Sequence, residues 1–257
     1  MKKNHDFLVF TSAGEQSCLH KWLKGKPNFD LWVTYYGDHD GKYSDLTKLY
    51  DQRKDTKFPN LHALHNDHPD FLAQYKAILV MDDDIGISAK QINKLFAIQQ
   101  ECDFWVLQAS FDRRGKISHS ITRQRYGYKV RYTNFVEMTC PLFRTDKLTK
   151  FLEVFDPDLK GWGTDHWFMH ALGADAQGHI AIIDSISCLN PHDKFKTNGI
   201  REIDNYQSAN DRKAHFEKIS KDKNILKVSK AKNFKRIRKS VPAALYALIA
   251  IKLKKFY

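Results

Sequence analysis

Cysteine is scarce in this sequence, and its four cysteines lie far apart. Cys18, Cys102, Cys140 and Cys188 form no CxxC pair and no closely spaced framework. The pattern excludes a small domain that depends on a disulfide network. Reduced thiols in a cytosolic setting are the simplest interpretation.

Long apolar runs are missing as well. The longest candidate, Val241–Ile251, holds eleven residues, well short of the roughly 18 that a membrane-spanning helix needs. Near the amino terminus, Phe7–Phe10 is too short for the apolar region of a signal peptide, and Asp6 precedes it. We therefore expect a cytoplasmic protein without a spanning helix.

Acidic residues are nearly absent from the last forty positions. Residues 218–257 hold 13 Lys and Arg against one acid, Asp222, which leaves 29 basic and 29 acidic residues in 1–217. A neutral catalytic body, 1–217, followed by a basic tail, 218–257, is the predicted division. A nucleic-acid partner is not expected, because Phe234 is the only aromatic residue within the basic run 227–239.

The end of the tail has a helical pattern. Ser240 and Pro242 suit a helix start, and apolar residues then recur at helical spacing with lysines after them. Such a basic amphipathic helix can lie on an anionic membrane surface, which would place the protein at the inner face of the membrane. The alternative is a helix packed on the body, with a solvated basic stretch before it.

The body alternates between strand and helix patterns, which predicts an α/β doubly wound sheet. Residues 7–10, 29–38, 77–81 and 104–110 are predicted strands, and 16–23, 45–52, 69–75 and a segment capped by Ser88 are predicted helices. In the second half we expect antiparallel strands within 128–143, helices at 145–155 and 164–172, and two strands near 179–183 and 185–189. Ligands of such folds bind at the carboxyl ends of the strands.

Three consecutive aspartates follow the apolar run that ends at Met81. If the strand continues through them, Asp82 and Asp84 project to one side and Asp83 to the other. Two carboxylates on one side can share Mg²⁺ or Mn²⁺ together with the phosphates that such a cation holds. The competing interpretation is an acidic, solvated turn that caps a helix.

Two later stretches also carry polar groups suited to a site. In "GWGTDHWF", residues 161–168, glycines flank Trp162, whose ring could stack on a sugar, and Asp165 falls in the first turn of a predicted helix. In "IAIIDSISCLNPH", residues 180–192, a strand leads to His192 on a loop, where a neutral imidazole could bind Mn²⁺. Each is weak alone, since acids at helix starts and surface histidines are common.

Together, these stretches resemble the nucleotide-sugar glycosyltransferases of the GT-A fold. The sequence is most similar to the family catalogued as domain of unknown function 707. The resemblance runs through "HPDFLAQYKAILVMDDDIGI", "SHSITRQ", "NFVEMTCPLF", "GWGTDHWF" and "IIDSISCLNPH". It implies a single GT-A domain with a mixed central sheet, and the basic C-terminal helix would be an addition to it.

The resemblance also implies roles for individual residues. Asp82, Asp84 and His192 would hold Mn²⁺ or Mg²⁺, and Asp165 would be the catalytic base. Many GT-A enzymes have two acids in that loop-to-helix motif, whereas His166 follows Asp165 here. Glu137 would bind acceptor hydroxyls or serve as an alternative base.

Donor binding is assigned to a second set of positions. Arg123 is a candidate for bidentate contact with the diphosphate, although a surface ion pair is an equal alternative. Thr11 and Asp38, at the ends of the first two strands, lie where a nucleotide would bind in this fold. Asp83 would touch the ribose or support its own loop.

The function implied is a metal-dependent transferase that moves a sugar from a nucleotide-diphosphate donor to a hydroxyl of a cell-surface glycan or glycolipid. An aspartate-based phosphatase is an alternative, because such enzymes also place DxD after an apolar strand. Against it, Gly86 stands where they usually have threonine or valine. A non-catalytic module that binds glycan or membrane is the third possibility.

Overall fold

One mixed β-sheet organises the chain in the computed structural model, which describes residues 1–193 and 203–239. Within these residues, nine strands form the sheet in the order β3-β2-β1-β4-β7-β5-β8-β6-β9. The strands are β1 (Phe7–Ala13), β2 (Asp30–Tyr35), β3 (Leu49–Gln52), β4 (Ala77–Val80), β5 (Val106–Phe111), β6 (Tyr128–Thr133), β7 (Leu142–Arg144), β8 (Ile180–Cys188) and β9 (Asn233–Arg238).

Helices cover both faces of this sheet. They are α1 (Leu19–Leu23), α2 (Lys57–Asp67), α3 (Pro69–Leu72), α4 (Ala89–Cys102), α5 (Thr145–Leu152), α6 (Thr164–Leu172), α7 (Ile203–Tyr206) and α8 (Ala209–Asp222), with 3-10 turns at Ser120–Thr122 and Ala174–Ala176. The expected capping box opens α4, where Ser88 and Gln91 each bond the backbone N–H of the other.

Strand direction determines which loops meet. β1 to β4 run parallel, β7 runs antiparallel to β4 and β5, and β8 is parallel to β5. The carboxyl ends of β1, β2, β4, β5 and β8 therefore lie at one edge of the sheet, which we call the carboxyl edge. The residues that lead into β7 reach the same edge because β7 runs the other way.

Strand β4 shows why the sheet is buried on both sides. All four of its residues are apolar and buried. Ile78 and Val80 belong to one apolar cluster, whereas Ala77 and Leu79 belong to the other. An unbroken apolar run of this kind suits a central strand covered by helices on each face, so the predicted α/β architecture is confirmed.

Some local expectations were wrong. The segment expected to be helical at 45–52 contains strand β3, and the helix lies further on, as α2. The two strands expected at 179–183 and 185–189 are one strand, β8, whose pairing with β5 shifts register after the pair Ala109 and Ile183. That irregularity gives a single strand the pattern of two, because it interrupts the alternation of side chains.

The basic tail is partly integrated into the body. Helix α8 runs across the boundary expected at 217/218, and β9 pairs with β6 at the end of the sheet. The amphipathic helix expected after Ser240 lies outside the described residues. No helix in 1–193 or 203–239 is long and apolar enough to cross a membrane.

Candidate active site

A cleft of about 570 Å³ opens at the carboxyl edge of the sheet. Six carboxyl groups and three basic side chains are among its lining residues, so the cleft is acidic. The carboxyl groups are those of Asp55, Asp82, Asp83, Asp84, Glu137 and Asp165, and the basic side chains are those of Lys57, Lys116 and Arg212.

The three consecutive aspartates lie in a turn beyond β4. The strand ends at Val80, and the N–H of Ile85 bonds the carbonyl of Asp82 at 3.3 Å. The pleating expected to separate Asp83 from its neighbours therefore does not apply, and all three line the cleft. Asp83 also accepts a bond from the N–H of Gly14 at 2.9 Å, so it supports the loop after β1.

Lys57 holds the first of these aspartates. Its Nζ lies 2.6 Å from Oδ1 of Asp82 and donates to the carbonyls of Met138 and Thr139, at 2.6 and 3.0 Å. These three bonds use every proton of the ammonium group. Since the lysine side chain is only 6% exposed, it is a buried clamp between α2, the aspartate turn and the loop that leads into β7.

Asp165 is positioned by the glycine turn before α6. Gly163 caps the helix with φ of 89°, and a Cβ there would meet the ring of Phe216 at 2.2 Å. Only glycine fits this combination of backbone conformation and close approach. The turn delivers Asp165 into the first turn of α6, as expected, with its side chain 10% exposed.

Burial changes the acidity of this carboxyl group. Desolvation raises the pKa of Asp165 to about 6, although the N–H of His166 donates to its Oδ1 at 2.9 Å and opposes the shift. His119 lies beside it, with Nε2 at 3.7 Å from Oδ2 of Asp165. Burial lowers the pKa of His119, so a neutral imidazole adjoins Asp165 at neutral pH.

Glu137 is the most deeply buried acid of the cleft. The residue is 2% exposed, and neither carboxyl oxygen has a hydrogen bond of ordinary geometry within the described residues, although Thr139 lies near. Desolvation, then the charge of Asp165, raise its pKa to about 8. Its own N–H is held by Oε1 of Gln108 at 2.6 Å. Glu137 is therefore protonated at neutral pH.

Trp162 lies in the cleft, as the sugar-stacking hypothesis requires. Its side chain is 39% exposed, and its ring packs edge-on against Phe216 with centroids 5.6 Å apart. The contact with Phe216 places Trp162 against α8, and the indole remains accessible from the cleft.

Thr11 and Asp38, two of the donor-binding candidates, do not line the cleft, although Ser12 and Tyr36 nearby in the sequence do. β1 continues to Ala13, so the alternation of side chains buries Thr11 completely and brings Ser12 to the cleft. Asp38 lies three residues beyond the end of β2, is exposed, and pairs with Lys54, whereas Tyr36 lines the cleft. Both predictions failed because the strands end at other residues than expected: β1 ends at Ala13 and β2 at Tyr35.

Arg123 and His192 are exposed and do not line the cleft. The carbonyl of Arg123 accepts a bond from the buried guanidinium of Arg131, and its backbone bridges to Phe111 at the end of β5. His192 follows Asn190 and Pro191, which do line the cleft. The structure therefore brings together Asp82, Asp83, Asp84, Glu137, Trp162 and Asp165, and leaves Thr11, Asp38, Arg123 and His192 outside.

The side chains of the cleft provide only part of the ligand shell that Mg²⁺ or Mn²⁺ needs. Among the described residues, no three His, Cys, Asp or Glu side chains are grouped closely enough to form a metal site. However, Mg²⁺ is commonly held by one or two carboxylates together with substrate phosphates. Asp82 and Asp84 meet that requirement among the lining residues of an acidic cleft, without His192.

Sequence reasoning missed three cleft residues. Lys57 pairs with a residue 25 positions away, so no local sequence pattern predicts its place in the cleft. Arg212 lies on α8 and its guanidinium is engaged by Asp204. His119 stood within the matched "SHSITRQ", which was the only available signal for it.

Known families provide an independent comparison. Residues 52–241 match the family described as Protein of unknown function (DUF707). The chain belongs to that family. The matched segment includes the aspartate turn, Glu137, the glycine turn and Asp165, so the cleft lies almost entirely within the family's own region. No curated protein matches the sequence.

Solved structures share the fold of this DUF707 chain. S. aureus TarS is 15% identical with a TM-score of 0.53, over 72% of this chain and 36% of that one. TarS 1-349 in complex with UDP-GlcNAc is 17% identical, with a TM-score of 0.51 over 71% and 57%. GalNAc-T7 with UDP, GalNAc and Mn²⁺ is 9% identical, with a TM-score of 0.54 over 87% and 55%.

The chain thus spans between 36% and 57% of the length of these three structures. At such identities the likeness is one of fold, and it agrees with the mixed sheet described above. The architecture is that of the GT-A glycosyltransferases.

Proposed function

We propose that this protein is a glycosyltransferase that moves a sugar from a nucleotide-diphosphate donor to a hydroxyl group of an acceptor. One observation carries the proposal: carboxyl groups from four distant segments of the chain converge in one cleft at the carboxyl edge of a GT-A fold. In open α/β sheets, ligands bind at this edge. The neighbours' crystals with UDP-GlcNAc, and with UDP, GalNAc and Mn²⁺, support this class of donor.

Charge supports a role for a divalent cation. A nucleoside diphosphate is an anion, and the cleft that would receive it contains five carboxyl groups besides the protonated Glu137, against three basic side chains. The three basic groups are themselves bonded to Asp82, Asp193 and Asp204. A Mg²⁺ or Mn²⁺ ion at Asp82 and Asp84 would offset the charge on the departing diphosphate.

Asp165 is the base in this proposal. With a pKa of about 6 it is ionised at neutral pH, yet it is basic enough to accept a proton from an acceptor hydroxyl. As the acceptor oxygen attacks the anomeric carbon, its proton passes to Asp165. The bond from that carbon to the diphosphate breaks, and the diphosphate leaves with the electron pair.

Glu137 acts differently from Asp165. Because it stays protonated at neutral pH, it can donate a hydrogen bond to a sugar oxygen, whereas a carboxylate could only accept one. Its buried oxygens lie at the floor of the cleft, where a polar substrate group would satisfy them. Trp162 would stack against a sugar ring at the mouth.

The test is release of nucleoside diphosphate from a panel of nucleotide sugars by the purified full-length protein, with Mn²⁺ or Mg²⁺ present. Hydrolysis to water serves as the readout because the acceptor is not required. We expect release that Asp84→Asn abolishes and that chelation of the cation suppresses. Asp175→Asn is the matched control, because Asp175 is an exposed carboxylate outside the cleft.

The same assay separates the alternatives. Release of phosphate from simple monoesters, without cleavage of nucleotide sugars, would replace the proposal with an aspartate-based phosphatase. That enzyme would need Asp82 as its nucleophile. No turnover of any nucleotide sugar, with glycan binding retained, would leave a non-catalytic binding module.

A further inference from the structure

Two acid-free segments meet at the far end of the sheet. Residues 113–133 contain seven Lys and Arg without an Asp or Glu, and residues 223–239 contain eight, also without an acid. The pairing of β6 with β9 brings these segments side by side. The sequence indicated a basic tail, but it did not show that a second basic segment lies next to it.

Most of these cations are not neutralised by the body. Arg114, Lys116 and Arg131 pair with Asp112, Asp193 and Asp184, and Lys227 pairs with Glu217. None of the other eleven forms an ion pair with any described residue, and we call ten of them, all except Lys223, the basic edge. They are Arg113, Arg123, Arg125, Lys129, Lys230, Lys232, Lys235, Arg236, Arg238 and Lys239.

Apolar side chains lie among these cations. Leu226 is 75% exposed, Phe234 49% and Ile237 38%. β9 carries no buried side chain, and it is the outermost strand of the described sheet. Basic side chains with exposed apolar side chains among them are the combination that a lipid interface binds.

The basic edge is fixed relative to the cleft. The N–H of Lys239 bonds the carbonyl of Gly127 at 3.0 Å, next to the start of β6 at the carboxyl edge. The N–H groups of Leu226 and Val228 bond Nδ1 of His170 and His166 on α6, each at 3.2 Å. The segment that carries β9 is therefore tied to the helix that carries Asp165.

We propose that the basic edge docks on an anionic lipid surface and so presents the cleft to an acceptor held in that membrane. The acceptor part of this inference rests on the proposed transferase function, whereas the docking part does not. Each Lys or Arg near an anionic lipid surface raises the affinity of the protein for that surface by roughly fivefold. Apolar side chains such as Phe234 and Ile237 gain further by entering the interface.

The sequence beyond β9 favours a membrane over a soluble polyanion. Residues 240–251 contain no charged side chain, and Lys252, Lys254 and Lys255 follow them. Apolar residues next to lysines add affinity for a lipid interface, whereas a soluble polyanion would use only the lysines. The exposed apolar residues of the basic edge point to the same choice.

The test is sedimentation of the full-length protein with vesicles of phosphatidylcholine, alone or mixed with phosphatidylglycerol. The first variant combines Arg113→Gln, Arg125→Gln and Lys129→Gln, which leaves 218–257 intact. Its matched control combines Lys24→Gln, Lys90→Gln and Lys94→Gln. These three exposed lysines lie at the end of α1 and on α4, outside the basic edge. We expect binding that requires phosphatidylglycerol, weakens at least tenfold in the first variant, and is unchanged in the control.

A second variant distinguishes lipid from soluble polyanion. Phe234→Ser with Ile237→Ser should weaken binding to anionic vesicles and leave retention on a heparin column unchanged. Equal binding by wild type and the first variant, or equal binding to both vesicle types, would overturn the docking proposal. So would loss of heparin retention in parallel with vesicle binding in the second variant. Because no donor is used, a failed transferase assay leaves these outcomes interpretable.

Discussion

The cleft and the basic edge are charged regions of opposite sign, and they differ most in burial. In the cleft, Asp165 and Glu137 are buried and their pKa values are raised. On the basic edge, Lys235 and Arg236 are exposed, so salt in solution screens them. Buried charge adjusts proton affinity for chemistry, whereas exposed charge provides attraction that depends on ionic strength.

The largest expected effect is loss of turnover in Asp165→Asn. The amide cannot accept the proton from the acceptor, and general base catalysis typically contributes 10²- to 10⁴-fold. We therefore expect nucleotide-sugar turnover to fall by at least about 100-fold, measured as nucleoside diphosphate released. Asp175→Asn should keep wild-type turnover. Comparable activity of Asp165→Asn and wild type would remove Asp165 from the mechanism.

The next effect is on stability. Lys57→Met leaves Asp82 without its cation and two carbonyl groups without their donor. Breaking a buried pair commonly costs about 3–5 kcal/mol, but Asp82 is 40% exposed, so we expect roughly 2–3 kcal/mol. Urea denaturation measures the change in free energy of unfolding.

Lys54→Met is the matched control for Lys57→Met. Lys54 pairs with Asp38 on the surface, where both side chains are mostly exposed. Such pairs contribute about 0–1 kcal/mol. If the two lysine variants proved equally stable, Lys57 would not be the clamp described here.

Ionic strength should affect one region and not the other. Raising the salt concentration from about 0.05 to 0.5 M shortens the screening length severalfold. We expect binding to anionic vesicles to weaken by about tenfold or more, because several exposed cations contribute. Turnover of a soluble nucleotide sugar should change less than about twofold, since Asp165 and Glu137, the two carboxyls whose protonation controls the reaction, are buried. Equal salt sensitivity in both assays would show that the basic edge and the cleft do not differ in their dependence on ionic strength.

The smallest effect is on the shape of the pH profile. Turnover should rise through the pKa of Asp165, about 6, and fall through that of Glu137, about 8. Glu137→Gln cannot lose a proton, so the alkaline limb should disappear while the acidic limb stays near pH 6. A profile that kept its alkaline limb in the variant would assign that limb to another group.

The same two carboxyls give stability a definite pH dependence. Their pKa values are higher in the folded protein than the usual value near 4 of the unfolded chain. The folded state thus binds more protons between about pH 4 and 8, and their contribution to stability falls as pH rises through that window. The free energy of unfolding of Glu137→Gln, relative to that of wild type, should therefore be higher near pH 8 than near pH 5. Urea denaturation at the two pH values measures this difference.

Much of the site follows from local sequence. An apolar run that ends in Asp82 and its neighbours predicts acids at a strand end, and glycines before Thr164 predict a helix start that presents Asp165. These features depend on residues adjacent in the chain. The aspartates and Asp165 accordingly lie in the cleft as expected.

The rest depends on tertiary contacts or on small changes in strand length. One further residue of β1 decides whether Thr11 or Ser12 lines the cleft, because alternate side chains point to opposite faces. Lys57 meets Asp82 only after α2 packs beside β1, the neighbour of β4 in the sheet. The basic edge exists because β9 pairs with β6, whose residues lie 100 to 110 positions earlier in the chain. No periodicity in the sequence reports that pairing.

Donor binding can be measured separately from chemistry. Calorimetric titration of UDP and other nucleoside diphosphates, with and without Mn²⁺, should show binding that requires the cation. Asp165→Asn should bind as wild type does although it does not turn over, whereas Asp84→Asn should lose binding. No cation-dependent binding of any nucleoside diphosphate, or undiminished binding by Asp84→Asn, would contradict the account.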